Sequence, residues 1–175
     1  RKTLRWLSVI VVLLLFGGGA LVAWSYAWLN QPLAALTEPT VYEVPRGASL
    51  RSVARDLHER GIIDRPQVWI AAGRLSGKAS ALKAGEYRIE PGRTPRGLLD
   101  LLSSGQVVLH GITFVEGSRF VDILAQLRAN PAVRIEYANR SEDEIMRAVG
   151  KPGVHPEGQF FPDTYHFPRH TPDIE

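Results

Sequence analysis

The sequence predicts a membrane-anchored chain of mixed α+β class: an N-terminal transmembrane helix, a small α/β subdomain, and the beginning of a second, mixed α+β domain. Three observations predict it. Trp6 to Thr37 carries no charged side chain. Beyond it, a strand-like run, a glycine turn and a helical pattern recur in that order three times. After Gly150 the chain turns rich in proline, glycine and aromatic residues, with no further helical period.

The anchor comes first. Leu7 to Leu29 is almost wholly apolar, and at 1.5 Å per residue it spans roughly 35 Å, enough for a bilayer core of about 30 Å. Trp6 stands at one end and Trp24, Tyr26 and Trp28 at the other, as interfacial aromatic belts would stand. Arg1, Lys2 and Arg5 flank the near end, so the positive-inside rule puts residues 1–5 in the cytoplasm and the bulk of the chain outside. A cleaved signal peptide is the rival reading. Its apolar region is usually 7 to about 15 residues long, shorter than this run. The first residue is Arg, not Met, and the natural start is therefore expected upstream.

Residues 30–40, with Pro32 and Pro39, read as a linker. The three repeated units follow. Val41–Val44, Glu86–Ile89 and Val107–Val115 read as strands, and Gly47, Gly92 and Gly117 mark the turns. Three residues after each glycine begins an i, i+3, i+4, i+7 apolar face: Leu50, Val53, Ala54 and Leu57; Pro95, Leu98, Leu99 and Leu102; Phe120, Ile123, Leu124 and Leu127. That spacing is one face of an amphipathic helix. Ser49, Thr94 and Ser118 are candidate N-caps, and Gly61 and Gly105 stand where C-terminal glycines belong. Pro66–Leu75 reads as an additional helix, Asn130-Pro131 ends the third amphipathic one, and Ser141 with Glu144 forms a capping box for a short helix to about Val149. The turn glycines are unequally spaced, which argues against a fixed-period solenoid. From Gly150 to Glu175 the expectation is an ordered loop.

Composition excludes several functions. Beyond the anchor, from Glu38 onward, there are 18 Lys+Arg and 18 Asp+Glu. The pI of 9.4 is thus set by three residues at the membrane, and no basic stripe points to nucleic acid. Cysteine is absent, which removes disulfides, thiolate metal sites and a cysteine nucleophile. The five histidines show no metal-ligand spacing, and neither a phosphate loop nor a nucleophile elbow is present. Neither a metal nor a cofactor is expected.

Chemistry concentrates in His155-Pro156-Glu157-Gly158-Gln159-Phe160-Phe161-Pro162-Asp163-Thr164-Tyr165. Glu157, Phe160, Asp163 and Tyr165 are the candidate lining of a sugar cleft, in which aromatic rings cover sugar faces and carboxylates take hydroxyls. Two carboxylates also invite a hydrolase reading. The plainer alternative makes Phe160 and Phe161 core residues and Pro162-Asp163-Thr164 a turn in which the Asp bonds nearby backbone.

These motifs, in order, resemble the endolytic murein transglycosylase family, often called YceG-like. The resemblance runs through the basic start and single anchor, Val44-Pro45-Arg46-Gly47 with Gly61-Ile62-Ile63, and Leu82 through Arg88. It continues through Leu101-Leu102-Ser103-Ser104-Gly105, Val115-Glu116-Gly117, and Glu157-Gly158 with Phe161 through Tyr165. It implies a LysM-like subdomain over residues 41–104 and, over residues 105–175, the start of a catalytic domain. It also implies a lyase of the inner membrane that cuts nascent glycan strands without water, in cell wall assembly. A glutamic acid protonates the glycosidic oxygen and the sugar's own 6-hydroxyl closes a 1,6-anhydro ring. Peptidoglycan strands and the membrane are the implied partners, with cell-wall synthases as further candidates. The family's catalytic glutamate lies on a later helix, in a run such as Ala-Ser-Ile-Ile-Glu-x-Glu, which has no match here. The acid/base residue is therefore expected beyond Glu175, no catalytic residue is assigned within the chain, and the fragment alone is expected to be inactive. Two other readings remain: a non-catalytic, membrane-tethered peptidoglycan-binding module, and a bitopic scaffold that binds proteins.

Overall fold

The structure is a computed structural model that describes residues 2–175, with the side chains of residues 2–5 and 7–9 left out. The basic cluster Arg1, Lys2 and Arg5, on which the expected orientation rests, lies outside the described side chains. The chain forms two compact units, Arg1–Gln106 and Val107–Glu175. The mixed α+β class is observed, with six α-helices and short strands among the described residues.

In the first unit α1 (Lys2–Leu29) leads to β1 (Thr40–Val44), α2 (Leu50–Glu59), α3 (Pro66–Leu75), β2 (Gly85–Ile89) and α4 (Pro95–Ser104). Within α1, Ile10–Leu29 is long and apolar enough to cross a membrane. β1 and β2 pair antiparallel from Thr40 opposite Ile89 to Val44 opposite Gly85. Alternation puts Tyr42, Val44, Tyr87 and Ile89 on the buried face. The predicted stripes of α2 (Leu50, Val53, Ala54, Leu57) and α4 (Leu98, Leu99, Leu102) are buried as well. Each such side chain withdrawn from water contributes about 1.5–3 kcal/mol before entropy is charged against it. Trp69 of α3 is fully buried, and its indole N–H donates to the Pro95 carbonyl at 2.9 Å. The bond joins α3 to the first turn of α4, and it satisfies a polar group that would be costly to bury alone.

The end of α1 belongs to this unit. Trp28 and Leu29 are buried, and the Trp28 indole N–H donates to Asp64 at 2.8 Å. Trp28, expected in the interfacial belt, is instead enclosed by protein, because its one polar group finds a carboxylate there. Residues 30–39 contain no helix or strand, yet Leu33 and Leu36 are buried and the Leu33 N–H donates to the Arg93 carbonyl at 2.9 Å.

The second unit contains β3 (Leu109–Thr113), α5 (Phe120–Ala129), β4 (Val133–Arg134), α6 (Glu142–Ala148), β5 (Thr164–Pro168) and β6 (Thr171–Pro172). β3 pairs antiparallel with β5, and β4 pairs parallel with β6. The ordered loop expected from Gly150 onward is thus corrected. Its last part supplies two strands, which Pro162, Pro168 and Pro172 disguise in the sequence. Phe120, Leu124, Ala138 and Ile145 form the core, with Tyr137 and Phe160 packed against it.

The helix starts follow local chemistry. Ser49 and Thr94 cap α2 and α4, accepting the Ser52 and Gly97 N–H groups at 3.1 and 3.0 Å. Ser141 and Glu144 form the expected capping box of α6. For α5 the expected cap fails. Arg119, not Ser118, stands at the cap position, and the Ser118 hydroxyl donates to the Val115 carbonyl at 2.7 Å. The cap stands two residues after the turn glycine, as it does after Gly47 and Gly92, and here that position holds an arginine, so the cap must come from elsewhere. Gly47, Gly92 and Gly117 all adopt positive φ (75°, 78° and 81°), a conformation that costs any residue with a Cβ.

Candidate functional site

Within the second unit, the turn after β3, the start of α5 and the loop from Pro156 to Pro162 enclose a groove of about 430 Å³. Glycine turns at Gly117 and Gly158 allow both walls to reverse tightly. The floor is aromatic: Phe120 and Phe160 stack with ring centroids 5.2 Å apart and planes 20° from parallel. Phe161 stands 81% exposed on the rim, next to the polar walls that Glu116, Arg119 and Glu157 supply.

Glu157 supplies the cap that Arg119 cannot. Its two oxygens lie 3.2 and 3.1 Å from the Phe120 amide nitrogen, which donates the first free N–H of α5. Helix starts leave such donors unpaired and favour negative charge, so the carboxylate bolts the loop to the helix. Arg119 forms a two-pronged pair with Asp122 at 2.9 and 3.0 Å. That pairing holds the Asp122 carboxyl below its ordinary range, and Asp122, followed by the more remote Glu157, raises the Arg119 guanidinium.

Of the four residues expected in a sugar cleft, Glu157 and Phe160 line this groove, and Asp163 and Tyr165 do not. Asp163 accepts the Thr164 N–H at 2.7 Å, and its carbonyl accepts the Phe114 N–H at 3.0 Å, so it leads the chain into β5. Tyr165 packs on Phe114 with centroids 5.7 Å apart and donates its hydroxyl to the Phe161 carbonyl at 3.0 Å. It braces the rim from behind.

Glu116 is the residue that sequence reasoning passed over as a site candidate. It is exposed on the groove wall and has no hydrogen-bond or ion-pair partner among the described residues. Its signal was the Val115-Glu116-Gly117 turn, read there as a turn and a family motif without a role for the Glu116 side chain. Groups of three or more potential metal ligands do not come together among the described residues.

A model of the YceG-like family matches residues 42–175, most of the chain. The protein belongs to the YceG-like family. This is the murein transglycosylase family, and peptidoglycan is the substrate class it implies. A crystal structure of a YceG-like protein from Listeria monocytogenes is similar at 18% identity and a TM-score of 0.38, over 74% of this chain. The chain spans 48% of the length of that protein. No curated protein matches this sequence.

Proposed function

We propose that the protein is a membrane-anchored lytic transglycosylase of cell wall assembly, which cleaves nascent glycan strands to 1,6-anhydro ends in the space outside the cytoplasmic membrane. The observation that carries this reading is family membership over residues 42–175. The groove of the second unit supports it. Stacked Phe120 and Phe160, the exposed Phe161 and the unpaired Glu116 combine apolar faces with an acceptor for hydroxyls, the mixture that sugar rings require.

Within this reading the groove binds and aligns the strand, and the proton comes from a glutamic acid beyond Glu175. A non-hydrolytic cut needs one carboxyl that holds a proton until the glycosidic oxygen takes it. Glu157 is unsuited to that task, because both its oxygens already accept a helix N–H. Its part is to hold the groove's shape.

The first unit has a β–α–α–β order closed by an antiparallel pair, β1 with β2. That order favours reading residues 41–104 as a LysM-like, glycan-binding subdomain, and it also motivates the second reading, a tethered peptidoglycan-binding module without catalysis. Incubation of the complete protein with uncross-linked glycan strands separates the two. Release of shorter strands supports the transglycosylase, whereas retention without release supports the binding module. Retention should weaken in Glu116→Ala.

A further inference from the structure

The end of α1 is gripped by arginines. The Arg65 guanidinium lies 4.2 Å from the Trp24 ring centroid and 6.0 Å from that of Trp28. Arg96 lies 5.3 Å from the Tyr26 ring. Trp24 and Tyr26 are two residues apart, about 200° around a helix, so the two guanidinium groups flank α1 from opposite sides. Arg93 ties the chain after α1 to the same end: its carbonyl accepts the Leu33 N–H, and its guanidinium donates to the Gly97 carbonyl at 3.3 Å.

Depth follows from helix geometry. Trp6 and Trp24 are separated by 18 residue steps, roughly 27 Å of rise, against a hydrocarbon core of about 30 Å. If these rings mark the two interfaces, groups stacked on Trp24 and Tyr26 lie among the lipid headgroups. The rings remain open to lipid, at 46% and 60% exposure. Charge fits as well. Arg96 has no carboxylate partner among the described residues. The acidic group beside Arg65 is Asp64, at 3.4 Å, which also accepts the Trp28 N–H.

We infer that this face of the first unit docks on the membrane, with Arg65 and Arg96 taking the phosphates of outer-leaflet phospholipids while Trp24 and Tyr26 sit among the headgroups. The planar guanidinium fork suits phosphate oxygens and also stacks on aromatic faces. The anchor is then no loose tether. It seats the first unit on the bilayer at fixed height and orientation. This rests on the reading of α1 as an inserted span.

The test uses the full 175-residue chain in vesicles of phosphatidylcholine alone and of equal parts phosphatidylcholine and phosphatidylglycerol. The chain has no cysteine, so Gln67→Cys at the start of α3 accepts a single spin label. Nickel carried on lipid headgroups should strongly enhance its relaxation, more so in the phosphatidylglycerol vesicles. In Arg65→Ser/Arg96→Ser the enhancement should be lost. Flotation of the vesicles after alkaline washing reports insertion of α1 separately. A washed-off chain overturns the anchor and the docking together. A retained chain whose label shows no enhancement overturns the docking alone, as does enhancement that is insensitive both to phosphatidylglycerol and to the arginine substitutions.

Discussion

The Glu157 carboxylate accepts the Phe120 amide N–H through both oxygens, at 3.2 and 3.1 Å, across 37 residues of sequence. That one contact turns a carboxylate with the look of a catalytic acid into a helix cap. Glu157→Gln keeps one acceptor oxygen but loses the charge, and should lower stability by about 1–2 kcal/mol. Urea denaturation of wild type and variant checks it. Under the proposed activity, the complete protein carrying the variant should retain measurable cleavage. Abolished turnover in a variant as stable as wild type would make Glu157 an acid/base residue after all.

Gly117 adopts φ of 81°, and a Cβ built on it meets nothing within 4 Å. Gly117→Ala should therefore cost only backbone strain, about 1 kcal/mol. Gly117→Asn should recover part of it, since Asn tolerates the left-handed region. Denaturation midpoints of the two variants give the comparison.

Asp173 accepts the N–H groups of Glu136, Tyr137 and Ala138, the last at 2.6 Å. Together with the β4–β6 pairing it pins the last strand to the loop before α6. Asp173→Ala leaves three donors without their acceptor and should destabilise the second unit by about 2–3 kcal/mol. Amide exchange of residues 136–138 should quicken more than that of the α5 interior.

Glu144 is held below its ordinary value of 4.5, first by the Ser141 hydroxyl and then by the Ser141 N–H. A depressed folded pKa means that the unfolded chain binds the proton more readily. The cap therefore contributes stability above pH 4.5, and that contribution is lost as pH falls through the folded value. Asp122, lowered by Arg119, follows the same sign. Acid titration of stability should be shallower in Glu144→Gln than in wild type. An equal slope would remove Glu144 from the account.

Much of this fold could be read in the sequence, and the reasons are local. α2, α4 and α5 announce themselves by apolar spacing, and Pro66–Leu75 and the Ser141 box by terminal chemistry confined to a few residues. What escaped was long-range. β4 and β6 are two residues each and take shape only by pairing with one another. The cap of α5 comes from Glu157 and the clamp of residues 136–138 from Asp173, neither of which has a sequence period. The site was half legible for the same reason. The run from Glu157 to Tyr165 includes the loop that lines the groove, but which side chains face it depends on where the loop reverses at Gly158 and enters β5. The seat of Trp28 against Asp64 was hidden too, because an aromatic at the end of an apolar helix reads equally well as a lipid contact.

Cleavage of glycan strands without water is what sets the proposed activity apart from hydrolysis. The direct measurement is cleavage of uncross-linked strands by membrane-reconstituted complete protein in water enriched in heavy oxygen, with the new ends weighed by mass spectrometry. The account predicts 1,6-anhydro ends, one water lighter than hydrolytic ends and free of heavy oxygen. Reducing ends that carry the label would contradict it.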